Sequence, residues 1–203
     1  MTKIQLILKL FVISIMFSGL SYAADMPGYS ADIETTSPKG TYTSRVYFKN
    51  GNKRMEMNMK GKESVSITRP DKKLVWMLMP SDKVYIELPF DIKTKDLTAK
   101  INDPDLKAEK EFLGNETVEG HSAKKYRLIS LRENKKEKSG YIWEATGLNN
   151  FIIKYQDESK QHTMVWKNIR TGSISDSLFE VPSGYKKMDM TFPNTGNTRT
   201  PKR

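Results

Sequence analysis

The stretch from Lys53 to Phe90 constrains this fold more than any other. Turn chemistry cuts it into four short runs: Lys53 to Met59, Glu63 to Thr68, Lys73 to Met79 and Lys83 to Leu88. The links are Lys60-Gly61-Lys62, Arg69-Pro70-Asp71-Lys72 and Pro80-Ser81-Asp82, rich in the residues that turns favour. The first run alternates strictly, with Met55, Met57 and Met59 facing one way and Arg54, Glu56 and Asn58 the other. A period of two marks a sheet with one dry and one wet face. The dry face is unusual in kind: five of the chain's 11 methionines (55, 57, 59, 77 and 79) fall in this stretch, beside Trp76.

Strand patterns continue on both sides. Met26 to Thr36 and Thr41 to Lys49 alternate, and Asn50-Gly51-Asn52 closes a hairpin between the second of these and the methionine run. Six strands therefore form an antiparallel meander. The pattern breaks at Pro89, and one or two short helices are expected between Asp91 and Lys110. Asp103-Pro104 supplies an N-cap and a first-turn proline there. Five more strands follow: Glu111 to Glu119, Ser122 to Arg132, Ser139 to Ala145, Asn149 to Gln156 and Gln161 to Ile169, with a charged turn at Glu133 to Lys138. A helical turn is expected around Ser175 to Phe179. From about Thr191 the chain is Pro, Asn, Thr, Gly and basic residues, the composition of a disordered tail.

Sheets of this size curl, because adjacent strands twist against each other. The expected fold is therefore mainly β (α+β). A single curved antiparallel sheet of about 11 strands forms an unclosed half-barrel, with short helices covering its concave face. The fold occupies residues 24–190.

Residues 1–23 read as a secretory signal. Lys3 and Lys9 precede an uncharged apolar run from Leu10 to Leu20, and Ser21-Tyr22-Ala23 offers a cleavage site after Ala23. The run is short against the roughly 20 residues that a spanning helix needs, which favours a signal over an anchor. Without Lys3 and Lys9, the 34 basic residues fall to 32 against 24 acidic ones, a net charge of +8. The charges are spread through turns, which fits solubility better than a nucleic-acid surface. The chain has no cysteine, so it forms no disulfide, thiolate metal site, thiol nucleophile or lipobox attachment. A cysteine-free exported chain fits a bacterial periplasm.

Two segments carry a resemblance. Leu113-Gly114-Asn115-Glu116-Thr117-Val118-Glu119-Gly120-His121, followed by Lys125-Tyr126, is similar to a segment of exported bacterial proteins of the DUF4412 type. Ser177-Leu178-Phe179-Glu180-Val181-Pro182-Ser183-Gly184-Tyr185 resembles the ending shared by that family and the wider lipoprotein-carrier (LolA/LolB-like) group. The resemblance implies an unclosed half-barrel covered by helices around an apolar cavity, which in carrier relatives holds acyl chains. No activity comes with the DUF4412 type, and no binding residue is transferred from the carriers.

Catalytic chemistry finds no residue set. His121 and His162 sit in a turn and at a strand start, with no metal-ligand spacing around either. Acid pairs such as Asp103/Asp105 and Asp157/Glu158 lie in turns as solvated charge. No phosphate loop or Gly-x-Ser-x-Gly elbow occurs. The functional expectation is a non-enzymatic periplasmic carrier with no cofactor and no metal. Its partner would be a lipid, a lipoprotein acyl chain or another apolar ligand. The expected lining is Met55, Met57, Met59, Trp76, Leu78, Val84, Ile86, Leu88 and Trp166, since methionine moulds itself to varied apolar guests. The alternative is an envelope interaction or sensor module with a filled core and a protein partner. Nucleic acid and a membrane-spanning barrel are disfavoured, the latter because Arg54 and Glu56 would face lipid or an open lumen. Protein recovered from a periplasmic extract should begin at Ala24; an intact mass retaining residues 1–23 overturns the cleavage.

Overall fold

The computed structural model describes residues 28–59, 61–90, 108–132 and 135–189. Within them, the side chains at 59, 108, 130–132 and 135–137 stand outside the description. The signal segment, the expected helices between Asp91 and residue 107 and the expected tail from Thr191 also lie outside the described residues.

Twelve strands form one sheet. The first six are β1 (Tyr29–Ser37), β2 (Gly40–Lys49), β3 (Asn52–Met59), β4 (Lys62–Arg69), β5 (Leu74–Met79) and β6 (Val84–Pro89). The second group is β7 (Ala108–Val118), β8 (His121–Arg132), β9 (Lys135–Ala145), β10 (Phe151–Asp157) and β11 (Thr163–Thr171), and β12 (Lys186–Lys187) ends the series. The order across the sheet is β12-β6-β5-β4-β3-β2-β1-β11-β10-β9-β8-β7. Two meanders, β1 to β6 and β7 to β11, therefore run outward from a shared seam where β1 pairs antiparallel with β11. The sheet stays open, with β12 and β7 at its two edges.

Local chemistry explains the connections. Asn50 and Gly51 both take positive φ, the two-residue turn whose twist matches its flanking strands. The β4–β5 and β5–β6 links use one device twice. A proline opens a 3-10 turn, Pro70–Lys72 or Pro80–Asp82, and a lysine in the left-handed region ends it. The N–H of Lys73 donates to Pro70 O at 3.1 Å, and that of Lys83 to Pro80 O at 3.3 Å. Register shifts interrupt the ladders at Ser30/Asp32, Phe112/Gly114, Leu128/Ile129 and Ile152/Lys154. Each such bulge bends its strand and tightens the local twist. Gly140 answers a steric demand: a Cβ there would lie 2.5 Å from Gln156 O of the neighbouring strand.

The fold departs from expectation in four places. A twelfth strand exists, and it pairs parallel with β6 (Lys186↔Val84, Lys187↔Tyr85), so the sheet is mixed. Two residues give no period to read. Strand β7 begins at Ala108, where helix was expected to run to Lys110; residues 108–110 pair with 128–130. The charged turn at Glu133 to Lys138 is mostly ladder, with Arg132 opposite Lys135. Backbone pairing does not depend on side-chain polarity, so a charged hairpin shows no apolar alternation. Among the described residues the helices are 3-10 turns of three or four residues, and no covering helix over a concave face is seen.

One of these turns, Asp176–Phe179, anchors a C-terminal strap. Phe179 is 1% exposed and packs with Val65, Ile67, Trp76 and Leu78. Ile174, Leu178, Val181 and Tyr185 join the same cluster. The strap's carbonyls are capped by cations from the sheet: Arg54 Nη1 donates to Leu178 O at 3.2 Å and Arg69 Nη1 to Phe179 O at 3.0 Å. Lys49 Nζ reaches Ile174 O at 3.1 Å and Asp176 Oδ1 at 2.7 Å. Arg69 also pairs with Asp71 and Glu180. Phe179→Ala is expected to cost about 3–5 kcal/mol in urea denaturation, the loss typical of a fully buried aromatic. Phe112→Ala, on an edge strand where the ring meets only one aromatic partner, Tyr126, should cost less than about 1.5 kcal/mol.

Candidate functional site: a methionine face

Directly paired residues on antiparallel strands stand on the same face, so the register sorts every side chain. One row runs Tyr29, Phe48, Lys53, Thr68, Val75, Leu88. The next runs Ala31, Val46, Met55, Ser66, Met77, Ile86. A third runs Trp166, Ile33, Ser44, Met57, Ser64. These rows form the methionine face. Its packing divides into two clusters. Tyr29, Ala31, Ile33, Val46, Met55, Met164 and Trp166 make one around the seam; Val75, Met77 and Ile86 make the other, with Met79, Leu88, Phe90 and Met188 against it. Rings tighten the first: Tyr29 stacks on Phe48 at 5.4 Å and meets Phe151 edge-on at 4.9 Å, while Phe151 meets Trp166 at 6.3 Å. Burial raises the Tyr29 hydroxyl pKa.

The opposite face is built from ions and amphipathic rings. Arg45 pairs with Asp32, Arg54 with Glu56, and Lys167 with Glu34. Lys154 and Lys125 both lie over the Trp143 ring, at 4.4 and 4.9 Å. The Trp143 indole N–H donates to Glu116 at 2.6 Å, and Lys125 holds the same carboxylate at 2.8 Å. These two bonds, Lys125 first, keep the Glu116 pKa below its ordinary value.

Of the nine expected lining residues, the register brings six together on the methionine face: Met55, Met57, Val84, Ile86, Leu88 and Trp166. Met59 pairs with Lys62 in line with them, and its side chain is outside the description. Trp76 and Leu78 do not join. They stand on the ion-pair face under Phe179, and the Trp76 indole donates to Glu87 at 2.9 Å. The cause lies in β5 itself. Its sequence, Leu-Val-Trp-Met-Leu-Met, is apolar throughout because both its faces are buried, so it carries no alternation to read. The residues of β5 on the methionine face are Val75 and Met77.

Sequence reasoning also passed over Lys53. Counting by twos from Met57 through Met55 reaches it, so its face was legible. It is 5% exposed on the methionine face, between Phe48 and Thr68. Desolvation pushes its ammonium down to about 8. Among the described residues no cluster of three or more His, Cys, Asp or Glu could hold a metal ion. Nor is any described helix long and apolar enough to cross a membrane.

Fold and face together define a class: an open, single-sheet β-protein with one methionine-lined side and one ion-paired side. The chain belongs to the family described as Domain of unknown function (DUF4412), whose model matches residues 30–151. No curated protein matches it by sequence. In fold it is similar to an uncharacterized conserved protein from Thermus thermophilus, with a TM-score of 0.56 at 10% identity over 89% of this chain and 98% of that one. It is also similar to MucB, solved in complex with MucA(peri), with a TM-score of 0.51 at 9% identity over 88% of this chain; the alignment spans 61% of MucB. A LolA superfamily protein, NE2245 from Nitrosomonas europaea, aligns over 83% of this chain and 97% of its own at 13% identity, with a TM-score of 0.35.

A lysine whose pKa falls on folding binds fewer protons in the native state than in the unfolded state between the two values. Stability therefore rises as pH climbs from about 8 toward the ordinary 10.5 of Lys53. Relative to Lys53→Met, the wild type should gain roughly 2–4 kcal/mol across that window in urea denaturation. Parallel pH profiles of the two proteins would exclude the shift.

Proposed function

We propose that this chain is an exported, non-enzymatic carrier that holds a lipid or other acyl-chain ligand against the methionine face. One observation carries the reading: Met55, Met57 and Met77 stand on one face of three adjacent strands, bounded by Trp166 and Ile86. A folding core gains most from branched and aromatic side chains that lock into one packing. Unbranched, polarisable thioethers suit a surface that must accept a guest without fixed shape. The guest would be held by loss of apolar surface from water, at about 25 cal/mol per Å². Selectivity would come from whatever polar groups the face retains. The periplasm is the proposed site of action, on the strength of residues 1–23.

A second reading is an envelope interaction module. It draws on Phe112 and Leu113, 54% and 40% exposed on the edge strand β7, and on MucB, which shares the fold and is solved with a protein partner. Edge strands offer unpaired backbone groups to an incoming chain.

Native mass spectrometry of protein purified from its own envelope separates the two. The carrier reading expects added lipid mass, and uptake of a fluorescent fatty acid by stripped protein. Met57→Glu should weaken that uptake at least tenfold while far-UV dichroism is retained. A clean apo mass with no uptake, or a stoichiometric protein partner in place of lipid, overturns it.

A further inference from the structure

We infer that the ligand of the methionine face is a single-chain carboxylate, a long-chain fatty acid, whose head group is held at Lys53. This rests on the carrier reading and specifies its cargo. Three charged residues are buried among the described side chains: Lys53, Arg69 and Glu144. Two have evident structural work. Arg69 stands on the ion-pair face and clamps the strap through Phe179 O, Asp71 and Glu180. Glu144 receives Lys110 at 2.7 Å. Lys53 is the buried cation of the methionine face.

Its position gives that face a polarity. Lys53 lies next to the Asn50-Gly51 turn, and its partner Thr68 lies next to the turn that opens at Pro70, so both sit at the same end of the sheet. From there β3 runs through Met55 and Met57, and β4 runs alongside through Ser66. At a strand rise of about 3.3 Å per residue, Met57 is about 13 Å from Lys53. The face thus offers a cation and a hydroxyl at one end and a thioether lane beyond, the pattern of an amphiphile with an anionic head.

The anion class follows from the kind of cation. Lysine is a compact point charge with three donors, so a carboxylate oxygen can share the ammonium with other acceptors. Phosphate recognition favours the bidentate guanidinium. The arginines of β2, β3 and β4 (Arg45, Arg54 and Arg69) all stand on the other face. A bound carboxylate would also restore the ammonium that burial discourages.

The test is a titration of delipidated wild type and Lys53→Met with hexadecanoate, hexadecanol and hexadecyl phosphate, read by displacement of a fluorescent probe. The wild type should bind hexadecanoate at least tenfold more tightly than hexadecanol, and more tightly than hexadecyl phosphate. Lys53→Met should lose the preference for the acid while binding the alcohol within threefold of wild type, which also shows that its fold and lane are intact. Equal binding of acid and alcohol by the wild type, an unchanged preference in Lys53→Met, or tighter binding of the phosphate each overturns the head-group assignment and leaves the carrier reading standing. If none of the three amphiphiles binds either protein, the carrier reading falls and this inference falls with it.

Discussion

The pairing of β1 with β11 holds the molecule together. Each meander is local: β1 to β6 and β7 to β11 are successive neighbours joined by turns. The seam between them matches Ile33 with Trp166 and Thr35 with Met164, partners more than a hundred residues apart in sequence. Without it there are two open sheets, each with an exposed edge at the place where the first apolar cluster now lies. The cluster of Tyr29, Ala31, Ile33, Val46, Met55, Met164 and Trp166 draws on both sides of the seam, so burial and pairing reinforce each other. Closing such a distant contact is entropically costly and delays folding. The seam's Ile33, Met164 and Trp166 are correspondingly large and buried.

Much of this was legible in the sequence. Period two is an unambiguous signal where one face of a strand is wet, and β1, β2 and β3 all show it. Asn50-Gly51 marked a hairpin, and the two proline turns marked two more. What failed did so for physical reasons. Strand β5 is apolar on both faces, so Trp76 and Leu78 could not be told from Val75 and Met77 by pattern. The β8–β9 hairpin is charged, so its ladder read as a loop. Strand β12 has two residues. The site divides along the same lines: its methionines on β3 were plain, its β5 members were inverted, and Lys53 was hidden only by attention to its apolar neighbours.

The two faces obey different rules. On the ion-pair face, polar atoms are matched one to one: Trp143 with Glu116, Trp76 with Glu87, Arg54 and Arg69 with strap carbonyls. Such matching has geometric demands and fixes a single arrangement. On the methionine face the contacts are dispersive and tolerant. A protein that must hold its shape while admitting a variable guest benefits from this division, rigid behind and compliant in front.

The strap has a consequence for how the chain reaches its native state. Its buried ring, Phe179, and its two-residue addition to β6 come after every other strand in order of synthesis. Until those residues have left the ribosome, the slot formed by Val65, Ile67, Trp76 and Leu78 lacks its plug, and the β6 edge lacks its guard. A nascent chain in that condition is greasy, unfinished and suited to threading. In a chain exported as proposed, completion is deferred to the far side of the translocation pore, where the last segment to arrive latches the first half of the sheet.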